Sequence, residues 1–394
     1  MSIFFVLDYY IIIFIATFLF YIEKHHPTKN RFFEKVAILF LIVIAGLRYN
    51  TGRDYLNYYQ IYDWIKEGGK RFEPGFYYLF KFLGSFGFSY QFSLFLISTF
   101  LILIVYKYLL KPIPLRYRYV SFFFFLIIWE NYFTFVANSL IRQSIAIGIF
   151  IISVEFIIKK NFLAYFVMIF IGAMFHLSMV LLLPLYLIRK INVKVLYIFI
   201  YVLGIFFIFP QILPNILKTI LDGIGLSQMA NLNYISIVHR EISIKEILKN
   251  IYYIFVVIQF IYVAKLSNEQ LSPREKVYIK LLLIGFLFKL YISVGIDMFH
   301  RLIPYFYPFY IPVVYIFLRQ HPKIKNGYIM SLFFIFFMIF HIKQIFSLPE
   351  YSKYYGQYQF IVSKTEQDIK NDISIWNQED SEIMKKTLRR LTGK

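Results

Sequence analysis

The stretch NFLAYFVMIFIGAMFHLSMVLLLPLYLIRK, residues 161–190, contains no Asp, Glu, Lys or Arg before Arg189. Residues 161–188 could form one long helix or two short ones meeting near His176. Two short helices fit better. The choice sets the direction of everything downstream. A single crossing would put Arg189, Lys190 and Lys194 outside, and with them Lys265, Arg274, Lys276, Arg319, Lys323 and Lys325, whereas short cytoplasmic loops collect Lys and Arg. A break between short helices is tolerated where it lines a cavity instead of facing lipid.

Working outward under that rule, membrane segments fall near 3–22, 34–47, 90–109, 119–136, 139–158, 161–175, 177–188, 194–212, 248–264, 277–296, 302–318 and 327–346. The short basic linkers 23–33, 110–118, 159–160, 189–193, 265–276 and 319–326 then read as cytoplasmic, and the amino terminus and the loops 48–89, 131–138 and 213–247 as external. Residues 1–346 form a transmembrane unit, and residues 347–394 turn polar and read as a separate tail.

Composition agrees. Of 394 residues, 59% are hydrophobic and 16% charged, against about a quarter charged in a soluble domain. Continuous apolar blocks such as 121–129 and 329–340 exclude the alternating pattern of a membrane β-barrel, so the fold is all-α and polytopic. The run Ile3–Ile22 carries one charge, Asp8, with no basic residue before it and no small-residue cleavage site before Glu23, which predicts a retained first helix. No cysteine is present, which removes thiolate nucleophiles, iron–sulfur clusters and thiolate zinc sites. The net charge of +20 is spread over short loops and the tail without a basic face, so it reports orientation and not nucleic-acid binding.

Against this apolar background, polar residues at membrane depth stand out, because a charge at the bilayer centre costs at least about 2.5 kcal/mol. Arg142 lies just inside the outer end of a helix, where it either snorkels to the interface or clamps a diphosphate with its planar fork. The loop Gly46-Leu47-Arg48-Tyr49-Asn50-Thr51-Gly52-Arg53-Asp54-Tyr55 brings two arginines close to a carboxylate, and its tyrosines read as an interfacial belt or as sugar-stacking rings. Glu73-Pro74-Gly75-Phe76 opens an amphipathic stretch to Phe86 too short to span; Glu73 either caps it or takes part in chemistry. His176 sits at the apex between the half-helices, as a hydrogen-bonded core residue or a functional one. The chosen topology gathers Arg48, Asp54, Glu73, Arg142, His176 and Arg301 in the outer half of the membrane, a setting suited to an anionic headgroup on a lipid tail. Lys289, deep in a helix, is expected to pair with Asp297 or another carboxylate, or to snorkel. No Asp-x-Asp, His-Glu-x-x-His, Walker or dinucleotide motif occurs, so neither a metal nor a nucleotide cofactor is expected.

Four stretches, in order, resemble the Wzy-type polysaccharide polymerases of the EpsG-like group. They are Gly46-Leu47-Arg48 leading to Gly52-Arg53-Asp54-Tyr55; Glu73-Pro74-Gly75-Phe76; Ile141-Arg142-Gln143-Ser144 followed by Phe175-His176-Leu177-Ser178; and Arg301 ahead of Pro304-Tyr305. The resemblance implies an inverting, metal-independent glycosyltransferase of the C-type membrane class in the bacterial cytoplasmic membrane, its site facing outward. Donor and acceptor would both be undecaprenyl-diphosphate-linked oligosaccharides, with membrane lipid, a chain-length regulator and a flippase as further partners. It implies that Arg48, Arg142 and Arg301 hold the diphosphate, that Gln143, Glu73 and Tyr55 line the substrate site, and that Asp54 or His176 deprotonates the attacking hydroxyl. A lipid-linked oligosaccharide flippase, or a ligase or acyltransferase with an outward site, shares the general plan. A flippase, however, calls for cationic side chains along the whole path.

Topology reporters test this orientation. Fusions at Lys111 or Lys323 are expected to report cytoplasm and one within 213–247 the exterior; a cytoplasmic signal from 213–247 overturns the two-helix reading at His176.

Overall fold

The computed structural model describes residues 7–51, 54–70, 72–127, 140–192, 271–293, 301–321, 359–360, 364–365, 367–375 and 377–378, and nearly all of them are helical. The expected segments 194–212, 248–264 and 327–346, the loops 131–138 and 213–247, Arg53, and the pairing of Lys289 with Asp297 lie outside the described residues.

Helices α1 (Leu7–His25) and α2 (Phe32–Gly46) pack side by side. Buried Glu23 closes the turn between them by accepting from the Thr28 and Phe33 backbone N–H groups at 2.7 and 2.9 Å. α2 rests on α5 (Tyr90–Val105), which Ser89 caps by accepting from Phe92 N at 3.2 Å and which runs on through a π-helical turn, Tyr106–Leu110. α5 packs on α7 (Ile141–Ile158), and α6 (Leu115–Ile127) lies against α1. Among the described residues, Tyr90–Leu110 and Ile141–Ile158 are long and apolar enough to cross a membrane.

Residues 161–188 form a hairpin. α8 (Phe162–Ala173), capped by Asn161, turns at residues 174–176 into a 3₁₀ helix, Leu177–Arg189. Phe162 meets Tyr186 edge-on with ring centroids 5.0 Å apart, and Tyr165 donates its hydroxyl to Leu182 O at 2.6 Å, so the two arms run antiparallel. At ~2.0 Å rise per residue the 3₁₀ arm reaches about 26 Å, further than the same residues would in an α-helix. Pro184 within it has no N–H to give to a regular ladder.

Helix α9 (Pro273–Ser293) opens on a reciprocal capping box: Ser272 N donates to Glu275 Oε2 at 2.9 Å and Glu275 N to Ser272 Oγ at 3.3 Å. The next helical run breaks into α10 (Ile303–Phe306), a 3₁₀ turn (Tyr307–Phe309) and α11 (Tyr310–Gln320), with Pro304, Pro308 and Pro312 removing donors along it. α11 packs on α6 and so closes the bundle.

Two segments were not anticipated. The tyrosines of the first loop belong to a helix, α3 (Tyr55–Lys66), whose Tyr55, Tyr58 and Tyr62 face inward and are buried. α4 (Pro74–Ser85) is the expected short amphipathic helix. The tail also turns back onto this region. Its strand β2 (Gln359–Phe360) pairs antiparallel with β1 (Arg48–Tyr49), Arg48 opposite Phe360. Tyr49 donates its hydroxyl to Asp372 Oδ2 at 2.8 Å, and Gln60 Nε2 donates to Asn377 Oδ1 at 3.2 Å.

The helix ends remote from this loop are tied by charge. Buried Glu34, in the first turn of α2, meets Arg118 of α6 at 2.6 Å, and the same guanidinium donates to the carbonyls of Lys111 and Ile113. Glu155 near the end of α7 meets Arg274 at 2.7 Å, and Glu275 meets Arg319 at 2.7 Å. Lys280 donates to the carbonyls of Ile188 and Arg189 at the foot of the hairpin. The basic linkers thus converge on one end of the bundle. Removing one partner of a buried pair strands the other, at a cost of about 3–5 kcal/mol. Glu34→Ala is therefore expected to lower the unfolding midpoint in detergent clearly more than Glu67→Ala, a carboxylate on the exposed end of α3; equal effects would refute the buried lock.

Candidate functional site

The opposite end of the bundle gathers four pieces of chain: the α3–α4 loop, the start of α7, the apex of the hairpin and the residues around α10. Glu73 is the centre of the assembly. One carboxylate oxygen meets Arg142 Nη1 at 2.5 Å and the other accepts from Leu177 N, the first residue after His176, at 3.3 Å. Burial opposes its ionisation, but hydrogen bonds from its own backbone and from Leu177, together with the Arg142 guanidinium, hold its carboxyl below the usual range. Immediately beyond, Gly75 N donates to Met174 O at 2.8 Å. A Cβ on Gly75 would stand 2.9 Å from that carbonyl oxygen, so a glycine lets α4 begin against the apex.

Arg142 enters from the first turn of α7. Its Nε donates to Tyr58 Oη of α3 at 2.7 Å and its guanidinium lies over the Phe72 ring, 4.4 Å from the centroid. The side chain is 22% exposed, so the guanidinium keeps one open face within a polar nest. The next residue, Gln143, donates its amide to Arg301 O at 2.5 Å and stands close to Tyr305.

His176, in the turn between the arms, is half-buried with Nδ1 2.6 Å from Ser178 Oγ, and Ser178 Oγ is 3.0 Å from Tyr305 Oη. Burial, then Arg142 and, more weakly, Arg301, lower its pKa to about 4 against the opposing pull of Glu73. The imidazole is neutral at neutral pH and is able to accept a proton. Arg301 keeps its side chain exposed while its carbonyl is held by Gln143.

Of the residues expected from sequence, Glu73, Arg142, Gln143, His176 and Arg301 therefore stand in one network. Asp54 lies beside it, at the start of the helix that carries Tyr58. Arg48 and Tyr55 lie apart from it. The Arg48 guanidinium is buried between α2 and α5, donating to Ala45 O and to Ser98 Oγ, the latter at 3.0 Å. Tyr55 is fully buried with its hydroxyl on Gln91 Oε1 at 2.8 Å, and Gln91 in turn holds the carbonyls of Gly46 and Arg48. Both shape the loop that supports the network. Tyr58, Ser178 and Tyr305 were not singled out from sequence as site residues. For Ser178 and Tyr305 the usable signal was a hydroxyl two residues beyond a lone histidine, and a tyrosine following a proline beside Arg301.

The described residues form a mostly helical bundle, with two helices long and apolar enough to cross a membrane, that keeps an arginine–carboxylate–imidazole network at one end. Residues 31–360 match the EpsG family, and the chain belongs to it; this is a family of Wzy-type, exopolysaccharide-polymerase-like proteins. No curated protein and no solved structure matches the chain.

Arg142 supplies different nitrogens to Tyr58 and Glu73, which one ammonium group cannot reproduce. Arg142→Lys is therefore expected to reduce surface polysaccharide at least tenfold with protein abundance unchanged, as read by blotting for both. Full output from the Lys variant would leave charge alone as what matters there.

Proposed function

We propose that the protein polymerises a surface polysaccharide, O-antigen, capsule or exopolysaccharide, from undecaprenyl-diphosphate-linked repeat units, on the outer face of a bacterial cytoplasmic membrane. Its transfer is inverting and metal-independent, in the manner of C-type membrane glycosyltransferases. The observation that carries this reading is the convergence of Arg142, Arg301 and a neutral His176 on one nest at the end of the bundle opposite the basic linkers. Membership of a polymerase-type family supports it.

In this reading the growing glycan is the donor. The bond between its anomeric carbon and the carrier diphosphate breaks, and a bond to a hydroxyl of the incoming lipid-linked unit forms on the opposite face. The electron pair leaves on the diphosphate, whose charge Arg142 and the exposed Arg301 stabilise more strongly as it develops. The proton of the attacking hydroxyl passes to His176. Glu73 keeps Arg142 and the apex in register, Gln143 fixes the backbone at Arg301, and Asp54 orients the acceptor from the start of α3. The apolar helix surfaces around the nest take the polyprenyl chains, and a flippase and a chain-length regulator belong to the same pathway.

The test uses purified protein in nanodiscs with lipid-linked repeat units and excess chelator. Ladders of repeat number are expected. His176→Ala should lose roughly 10²–10⁴ in turnover while retaining substrate binding, and Asp54→Asn should show a milder defect. Because His176 takes up a proton only near pH 4, with Arg142, Glu73 and Arg301 facing it, wild-type turnover should not fall on its account between about pH 8 and pH 5. An inactive Asp54→Asn beside a near-normal His176→Ala would move the base to Asp54. Loss of ladders in chelator would reveal a metal requirement that this reading denies.

A further inference from the structure

His176 is not free to rotate. Its Nδ1 lies 2.6 Å from Ser178 Oγ, Ser178 Oγ lies 3.0 Å from Tyr305 Oη, and Tyr305 is fully buried close to Gln143, whose amide is spent on Arg301 O. The chain of contacts starts on the hairpin turn, crosses to α10 and ends on α7. Ser178 stands two residues beyond His176 in the same hairpin, and its contact with Tyr305 of α10 ties that local pair to the rest of the bundle. Tyr305 is held further by Phe150 of α7, edge-on at 5.8 Å between ring centroids.

The polarity of these two contacts and the protonation of the ring go together, since each contact can run in either direction. A neutral imidazole has one donor nitrogen and one acceptor, and the partner of the first selects the role of the second. We propose that Ser178 and Tyr305 are positioning residues that hold His176 as the Nδ1–H tautomer. In it Ser178 gives its own proton to the Tyr305 oxygen and accepts that of Nδ1, and Nε2 keeps its lone pair for the acceptor hydroxyl. The inference rests on the polymerase reading for its purpose, though not for its geometry. It adds two residues that never touch substrate yet govern the group that does. The opposite polarity, with Ser178 donating to Nδ1, would place the proton on Nε2 and make His176 a hydrogen-bond donor, unable to serve as the base.

The tautomer is read directly by nitrogen NMR of protein labelled at histidine and reconstituted in nanodiscs, with the His176 signals identified by their loss in His176→Gln. Wild-type protein should show a protonated Nδ1 and a bare Nε2. Ser178→Ala and Tyr305→Phe should each give mixed tautomers and lower kcat about ten- to a hundredfold, part of the full general-base contribution, with KM for lipid-linked repeat units little changed. Ser178→Thr, which restores a hydroxyl, should recover both the tautomer and the rate. An Nε2-protonated ring in the wild type, or a tautomer unmoved in both variants, overturns the proposal. If the tautomer shifts as expected while His176→Ala still polymerises normally, the hydrogen-bond assignment survives and the base assignment under the polymerase reading falls.

Discussion

The carboxylate of Glu73 is the contact on which the rest of this end of the molecule depends. It meets a guanidinium from α7 and a backbone N–H from the hairpin apex, and it sits one residue before the proline that starts α4. Without it, two segments distant in sequence, the start of α7 and the hairpin apex, would each present a donor short of an acceptor at a site that is only partly wet. A buried donor or acceptor left without a partner costs about 1–3 kcal/mol, more for a charged group. One acidic side chain therefore holds the loop, the helix and the turn in one geometry.

The two ends of the bundle use charge differently. At the basic end, Arg118, Arg274 and Arg319 are each matched by a glutamate, and Arg118 also closes the carbonyls of its own linker. At the other end one glutamate faces Arg142, whose side chain is 22% exposed, and Arg301 is exposed. Buried matched pairs lock helices together, whereas exposed guanidinium groups can still reach an anionic ligand.

Much of this was legible in the chain, for identifiable reasons. The break at His176 followed from the placement of Arg189 and later basic residues, since that constraint is set by the bilayer and needs no tertiary contact. Asking which polar residues share one side of the membrane gathered Arg48, Asp54, Glu73, Arg142, His176 and Arg301, of which Glu73, Arg142, His176 and Arg301 meet in the network, while Gln143 came from the family resemblance. What escaped were features fixed by distant partners. The Tyr55, Tyr58 and Tyr62 stripe has helical spacing, yet tyrosines near an interface satisfy an aromatic belt equally well; only packing on Gln91 and Arg142 separates the readings. Arg48 looked like a ligand-binding arginine because its charge was visible, while its acceptors, Ala45 O and Ser98 Oγ, arise from the approach of α2 to α5. The tail's return to the first loop rests on a two-residue ladder and a few side-chain bonds, too short a pattern to read in advance.

That ladder also obliges a parity. Residues 48–49 and 359–360 are hydrogen-bonded to one another, so they occupy the same side of any bilayer the bundle spans. A chain that leaves a face and comes back to it has crossed an even number of times. Ten expected segments lie between the two strands when residues 161–188 count as a pair, and nine when they count as one; an odd number is forbidden. A backbone pairing of four residues at the rim thus bears on the same question as the loop charges, with no reference to lysine or arginine at all.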